Sequence, residues 1–154
     1  MLIIFGLLPL LLRLVINSRG VQSQSVTCQH GWTGYGNHCY WSVPGLKKSW
    51  EDAQNDCRSQ DSNLVKTETA DEYSWLTGFV TLSDYPWIGA YDRNKKGDWR
   101  WISDNSTLTF SNWGPSEPNG PGTENCVHMY VAAIWNDNAC TDLQGFICEK
   151  EGKI

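Results

Sequence analysis

Five oxygen-bearing side chains in the second half of this 154-residue chain have the types and spacing of a metal-binding set. They are Glu117, Asn119, Glu124, Asn136 and Asp137. Three carboxylates and two amides, with no imidazole or thiolate among them, favour a hard cation, and Ca²⁺ accepts such a set at irregular angles more readily than Mg²⁺ does. These residue types are also common in solvated loops, so spacing alone leaves a metal site and an ordinary polar loop both open.

Three of the five residues lie in a long segment, 111–124, that is rich in glycine, proline, asparagine and serine. A loop of this length inside a compact domain is usually functional. Around it the sequence predicts short strands, because apolar and aromatic residues cluster between turn signals. The predicted strands are 86–90, 98–102, 127–130 and 145–148.

Two helices are predicted ahead of these strands by their capping residues. Ser49 precedes an apolar helical pattern and is followed three residues later by Asp52. Thr69 stands in the same relation to Glu72 at the start of a second pattern, and Gly78 is the predicted C-cap of that helix. Both helices present an apolar face to a core.

The chain has six cysteines, and none of them forms the C-x-x-C spacing of a zinc ribbon or a thioredoxin-type centre. They are Cys28, Cys39, Cys57, Cys126, Cys140 and Cys148. In an oxidising compartment they predict three disulfides, although six cysteines allow fifteen connectivities and spacing alone does not choose among them. The segments 28–39 and 126–140 each look like a hairpin flanked by cysteines, and local pairing across both would leave Cys57 with Cys148. Free buried thiols are the alternative.

Residues 1–20 are predicted to be a secretory signal peptide, with cleavage between positions 20 and 24. The apolar run from Leu2 to Leu12 fits an h-region and is shorter than the about 20 residues that a membrane span needs. A buried N-terminal helix or a signal anchor would be the alternatives. We therefore expect a secreted, extracellular protein without a membrane span.

Charge and composition exclude several classes of protein. A net charge of −5 argues against a nucleic-acid binder and against docking on anionic membranes, both of which need a basic face. Aromatic residues make up 12% of the chain and charged residues 19%, which is too apolar for a disordered protein. The sequence also lacks a nucleophile elbow or another catalytic signature, so we do not expect an enzyme.

Together, these motifs resemble the C-type lectin domain family in its long form with three disulfides. The resemblance covers 28–149 and rests on the order of the six cysteines and on four short motifs. The motifs are Trp87-Ile88-Gly89, Glu117-Pro118-Asn119, Glu124-Asn125-Cys126 and Trp135-Asn136-Asp137. The resemblance implies an α+β fold with two helices, two small antiparallel sheets and a long calcium-binding loop region, followed by a short tail over 150–154.

The resemblance also implies the disulfide pairing and the site. The implied pairs are Cys28–Cys39, Cys57–Cys148 and Cys126–Cys140. The five oxygen-bearing side chains would form one principal Ca²⁺ site and would also bind sugar, with Pro118 following a cis peptide bond. In this family two adjacent equatorial hydroxyls coordinate the ion, while a carboxylate accepts and an amide donates a hydrogen bond. Glu-Pro-Asn resembles the motif of mannose, N-acetylglucosamine and fucose binders.

The chain departs from the family pattern beside this motif. An auxiliary calcium site found in some members would fall on Asp92, Lys96, Gly120, Glu124 and Asn125. Lys96 and Gly120 stand where acids are expected, so we do not expect a second ion there. Asn105 begins the N-x-[ST] sequon of the chain and is a candidate glycosylation site.

Two functions remain open from the sequence. The first is a secreted lectin that recognises glycans with mannose-type equatorial hydroxyl pairs through Ca²⁺, a role compatible with innate immunity. The alternative is a lectin-like domain that binds a protein or mineral surface without sugar recognition. The complete set of five ligands favours the first. An oligomer built through the domain surface would add avidity to a weak single site.

Overall fold

The computed structural model describes residues 26–120 and 122–153, which contain two helices and eight strands. The helices are α1 (Trp50–Arg58) and α2 (Ala70–Phe79). The strands are β1 (Thr33–Tyr35), β2 (His38–Trp41), β3 (Asn63–Leu64), β4 (Trp87–Tyr91), β5 (Arg100–Trp101), β6 (Glu124–Met129), β7 (Trp135–Ala139) and β8 (Cys148–Glu151). The predicted signal peptide lies outside the described residues. Within them, no helix is both long and apolar enough to cross a membrane.

Helix α1 begins where its cap predicts. The Ser49 hydroxyl accepts a hydrogen bond from the Asp52 backbone N–H at 3.2 Å and donates one to the Asp52 carboxylate at 2.8 Å. The first of these bonds satisfies a backbone N–H that the first turn would otherwise leave unpaired. Trp50, Ala53 and Cys57 lie on the buried face of the helix, which directs the Cys57 sulfur toward the core.

Helix α2 starts at its predicted cap but ends later than predicted. The Thr69 hydroxyl accepts from the Glu72 N–H at 3.2 Å, as the capping pattern indicates. The prediction of Gly78 as the C-cap is wrong, because Gly78 stays inside the helix and Val80 caps it. The Val80 N–H donates to the Leu76 carbonyl at 3.1 Å, so the last helical bond forms beyond the glycine.

The strands form two four-stranded antiparallel sheets. The lower sheet has the order β1-β2-β8-β3, and the upper sheet has the order β5-β4-β6-β7. In the lower sheet both ends of the described chain meet, since Thr27 and Lys153 form an antiparallel bridge beside it. The predicted α+β class with two helices and two small sheets is confirmed.

All four predicted strands differ from the structure in their bounds, and the differences are largest at β8 and β6. The last strand was expected at 145–148, but β8 pairs with β2 and β3 over Cys148–Glu151, so it continues past the predicted domain end at 149. Residues 145–147 instead bond to β4, where the Trp87 N–H donates to the Gly145 carbonyl at 2.8 Å. Strand β6 begins three residues before the predicted 127, because its start pairs with the end of β7.

Strand β4 passes so close to the end of β3 and the residue after it that only glycine fits at the third position of Trp87-Ile88-Gly89. A Cβ atom on Gly89 would lie 2.7 Å from the Leu64 carbonyl oxygen and 3.0 Å from that of Val65. The Gly89 N–H donates to the Val65 carbonyl at 2.8 Å. A side chain here would force apart the segments that link the lower and upper sheets.

Three disulfides fix these elements, with the pairing that the family resemblance implies. They are Cys28–Cys39, Cys57–Cys148 and Cys126–Cys140. The Cys57–Cys148 bond joins α1 to β8 across a sequence separation of 91 residues. Between the sheets lies an aromatic core in which Tyr40, Trp101 and Trp135 are almost fully buried.

Candidate calcium-binding site

The five predicted ligands come from a loop and from two neighbouring strands of the upper sheet. Glu117 and Asn119 lie in the loop before β6, Glu124 begins β6, and Asn136 and Asp137 lie on β7. Strands β6 and β7 form an antiparallel pair, so both strands of this hairpin contribute ligands, with Glu124 at its open end and Asn136 and Asp137 nearer its turn.

Asp137 fastens the loop to the hairpin. Its two carboxylate oxygens accept hydrogen bonds from the backbone N–H groups of Asn119 and Gly120, each at 2.9 Å. The side chain of Asp137 is fully buried. Because one carboxylate receives both amides, the loop that carries Glu117 and Asn119 is held directly against the carboxylate of Asp137.

Glu117 and Asn119 are paired across the predicted cis proline. The Glu117–Pro118 peptide bond is cis, and the Asn119 Nδ2 donates to Glu117 Oε1 at 2.9 Å. The other oxygen, Glu117 Oε2, is buried and has no hydrogen-bond partner among the described residues. Burial raises the pKa of the Glu117 carboxyl, and the neighbouring Asp137 and Glu124 charges raise it further. This carboxylate therefore lacks a counter-charge.

Gly120 lets Glu124 approach Asp137. A Cβ atom on Gly120 would lie 2.4 Å from the Glu124 Cβ, 2.8 Å from Glu124 Oε2 and 2.7 Å from Asp137 Oδ2. The two carboxylates thus converge on the backbone of a residue that has no side chain. The structure has no room for the acid that the family pattern places at position 120 unless the neighbouring side chains shift.

Asn136 is oriented by the neighbouring His128. Its Nδ2 lies 3.1 Å from His128 Nε2 and donates to the Asp137 carbonyl at 2.7 Å. Burial lowers the pKa of His128 to about 4, so the ring is neutral and its Nε2 can accept. Since these acceptors engage the amide nitrogen, the Asn136 oxygen is left to bind a ligand. The pairing of β6 with β7 places His128 opposite Asn136, so knowledge of this register would have identified His128 as a neighbour of the site.

The residues brought together fit a hard divalent cation. Hydrogen bonds connect Glu117, Asn119 and Asp137, and close approach at Gly120 adds Glu124. The unpaired Glu117 oxygen and the raised pKa of that carboxyl both indicate an excess of negative charge. A cation with oxygen ligands at irregular angles would relieve it, and Ca²⁺ has that chemistry.

The ammonium group of Lys96 lies among the residues that correspond to the auxiliary calcium site. Lys96 Nζ is 3.5 Å from Asp92 Oδ2 and 3.6 Å from Asp137 Oδ2, and it donates to the Glu124 carbonyl at 3.0 Å. The Asn125 carbonyl accepts a hydrogen bond from the Asp92 N–H and not from the Lys96 ammonium. A single calcium ion per domain stays a prediction.

A second cluster of titratable groups lies on the lower sheet. His38 Nδ1 is 2.6 Å from Glu149 Oε1, and its Nε2 is 3.2 Å from Glu151 Oε1. The hydrogen bond that the His38 ring donates to the Glu149 carboxylate raises the pKa of His38 to about 9, with the charges of both glutamates adding to the shift and burial opposing it. Nearby, the Tyr40 hydroxyl donates to the buried Glu72 at 2.8 Å. This cluster is internally paired.

The sequon asparagine lies in an exposed turn after β5. Asn105 has a φ of 59° and its side-chain oxygen accepts from the Tyr91 hydroxyl at 3.4 Å. The position is reachable by solvent, and its glycosylation stays a prediction.

Comparisons with known proteins agree with this geometry. A family profile described as "Lectin C-type domain" matches residues 46–150. The chain is 36% identical to a perlucin-like protein of the mussel Mytilus galloprovincialis, over 94% of this chain and 97% of that protein.

Two solved structures with the same fold are a carbohydrate-recognition domain and a calcium-independent antifreeze protein. One is the cow C-type carbohydrate-recognition domain of CD23 in the presence of a GlcNAc2Man3 oligosaccharide. It is 34% identical, has a TM-score of 0.77, and the match covers 84% of this chain and 99% of that one. The other is a calcium-independent type II antifreeze protein, 25% identical, with a TM-score of 0.77 and coverage of 83% and 97%.

Proposed function

Because this chain belongs to the C-type lectin domain family, we propose that it is a secreted lectin that recognises mannose-type sugars through a bound calcium ion. The family is generally carbohydrate-binding and non-enzymatic. The proposed calcium ligands, which are also the proposed sugar-binding residues, are Glu117, Asn119, Glu124, Asn136 and Asp137. When bound, Ca²⁺ would supply open coordination positions for two sugar hydroxyls.

The unpaired oxygen of Glu117 carries this proposal. It is buried beside the carboxylate of Asp137, in a loop that two backbone hydrogen bonds hold in place. A buried carboxylate without a partner is costly, and the cost is removed when a cation binds it. The chain thus keeps a carboxylate oxygen of Glu117 buried without a partner among the described residues, and a bound cation would supply one.

Sugar selection would follow from the pair formed by Glu117 and Asn119. In the structure the Asn119 Nδ2 donates to Glu117 Oε1. Two vicinal hydroxyls can replace this internal bond, since Asn119 then donates to one hydroxyl while Glu117 accepts from the other. The order of acceptor and donor along Glu-Pro-Asn supports mannose, N-acetylglucosamine or fucose over galactose.

Affinity chromatography tests the proposal. The protein is passed over immobilised mannose and over immobilised galactose in buffer with calcium, and a chelator is then applied. We expect retention on mannose, elution by the chelator and weaker retention on galactose. Retention on mannose that persists in the chelator would contradict the proposal, as would equal retention of an Asp137→Asn variant.

A second candidate function follows from the antifreeze relative. A calcium-independent type II antifreeze protein shares the fold at a TM-score of 0.77, so the scaffold can act on a surface without calcium. Here the domain would bind a protein or mineral surface. Adsorption that is unchanged by chelator, together with no retention on mannose, would favour this candidate. The complete ligand set makes it the weaker of the two.

A further inference from the structure

The side chain of Lys96 contacts three acidic or carbonyl groups of the calcium-site region and one aromatic ring. Its Nζ lies 3.5 Å from Asp92 Oδ2, 3.6 Å from Asp137 Oδ2 and 3.0 Å from the Glu124 carbonyl oxygen. It also lies 5.6 Å from the centre of the Trp99 ring. All four contacts are favourable for a cation.

The two carboxylates that face Lys96 are fully buried, whereas the lysine side chain is 44% exposed. Asp92 Oδ1 is buried without a hydrogen-bond partner among the described residues, and Asp92 Oδ2 accepts from the Gly97 N–H at 2.8 Å. Buried carboxylates need a counter-charge, and the lysine brings one from the solvent side. This differs from an exposed ion pair, in which water screens both partners.

The ammonium joins three segments of the chain. Asp92 begins the turn that carries Lys96, and its N–H donates to the Asn125 carbonyl on β6 at 3.1 Å. Asp137 belongs to β7 and holds the backbone of the loop at Asn119 and Gly120. Lys96 therefore connects the turn after β4 with the hairpin and, through Asp137, with the loop that carries Glu117.

We propose that the Lys96 ammonium is a resident counter-ion that keeps the calcium-binding loop assembled when calcium is absent. The inference rests on the proposed function for the identity of the calcium ligands. With the fixed cation between Asp92 and Asp137, these two carboxylates do not repel each other in the metal-free protein. Calcium then binds to a loop that is already in place, and its binding stabilises the protein only modestly.

The first test compares thermal unfolding midpoints in excess chelator for the wild type, K96M and K95M. Lys95 is the matched control, because it is the exposed neighbour with the same charge. We expect K96M to lower Tm by about 5 °C or more and K95M to change it by less than about 2 °C. We also expect calcium to raise the Tm of K96M more than that of the wild type. Equal effects of K96M and K95M would overturn the proposal.

A double-mutant cycle with D92N identifies the partner. If the ammonium acts by neutralising Asp92, K96M should lower Tm in the D92N background by less than half as much as in the wild type. An equal loss in both backgrounds would overturn the proposal. Should K96M alone give no folded protein, a folded K96M/D92N double variant would support the proposal and an unfolded one would overturn it.

Proteolysis of the loop gives a readout that a general loss of stability would not move. In chelator at low temperature, with protein still folded, K96M should be cleaved within 111–125 faster than K95M, by about tenfold or more. The unfolding comparison in chelator, the double-mutant cycle and the proteolysis contain neither calcium nor sugar. A negative result therefore leaves the mannose column experiment unaffected, and failure of that experiment leaves the Lys96 test valid.

Discussion

The lower sheet and the calcium-site region both gather acidic side chains, but they balance the charge differently. On the lower sheet, Glu149 and Glu151 lie beside His38, and Glu72 accepts from the Tyr40 hydroxyl. In the calcium-site region, Glu117 keeps a buried oxygen without a partner among the described residues. A region that stabilises the fold carries its own counter-groups, whereas a region that binds a ligand leaves some charge unbalanced.

Removing the covalent links should show the largest difference between the two regions. A C57A/C148A variant, which frees the lower sheet from α1, should lose about 4–5 kcal/mol of unfolding free energy, since it opens the longest loop. A C126A/C140A variant, next to the site, should lose about 3 kcal/mol, because its loop spans 14 residues. Urea unfolding in chelator measures both. An equal loss in the two variants would contradict this order.

Neutralising Asp137 should abolish ligand binding while the lower sheet stays folded. Asp137→Asn removes a charged ligand and weakens the acceptor of the two loop N–H groups, which should cost about 3 kcal/mol of calcium affinity. Wild-type affinity should be on the order of 10⁻⁴–10⁻³ M, as in extracellular modules. Calorimetry measures calcium binding, and far-ultraviolet circular dichroism checks the fold. Calcium binding within threefold of the wild type would contradict the assignment.

Exchanging donor and acceptor should change the sugar preference without removing the ion. The double change Glu117→Gln with Asn119→Asp keeps size, total charge and an oxygen at each position. We expect mannose affinity to fall by ~1–3 kcal/mol, because the hydroxyls would face the wrong hydrogen-bonding group. Galactose should gain relative to mannose. Competition of both sugars against an immobilised glycan measures the ratio, and an unchanged ratio with calcium bound would exclude a role for this motif in specificity.

Raising the pH should weaken the lower sheet through His38. The pKa of His38 in the folded protein, about 9, exceeds its ordinary value of 6.5. The stabilisation that the protonated ring gives through its two glutamates is therefore complete below pH 6.5 and is lost as the pH rises through 9. We expect a contribution of about 1–2 kcal/mol, reduced by the partial exposure of the ring. Urea unfolding at pH 6 and pH 10 compares the wild type with His38→Gln, and His30→Gln is the exposed control. The same pH dependence in His38→Gln would contradict the assignment.

Local signals predicted the helix starts correctly, because capping acts over a few residues, and the site residues stay a prediction. The hydroxyls of Ser49 and Thr69 cap the helices that their spacing predicts. The bounds of strand β8 were predicted too early in the chain. The apolar residues 145–147 suggest a strand, whereas the hydrogen-bonded pairing with β2 runs from Cys148 into the charged residues that follow it. Pairing with β2 and β3 decides this, and such distant partners are not visible in a local pattern.

Two site features also depended on distant contacts. In the sequence, Lys96 showed only that the auxiliary calcium site lacks one of its expected acidic residues. The tertiary fold is what places its ammonium beside Asp137. His128 became informative once the strand register set it opposite Asn136. Residue types could name the candidate ligands, but the groups that orient or neutralise them emerged only from packing.

The Cys57–Cys148 bond also determines how the domain would carry mechanical load. Thr27 and Lys153 meet beside the lower sheet, and every candidate ligand lies inside the covalent loop closed by this bond. A pull applied at both ends of the domain would pass from Cys57 to Cys148 through the sulfur atoms. The segment between them, with the whole ligand set, would bear no tension along its backbone until that bond broke.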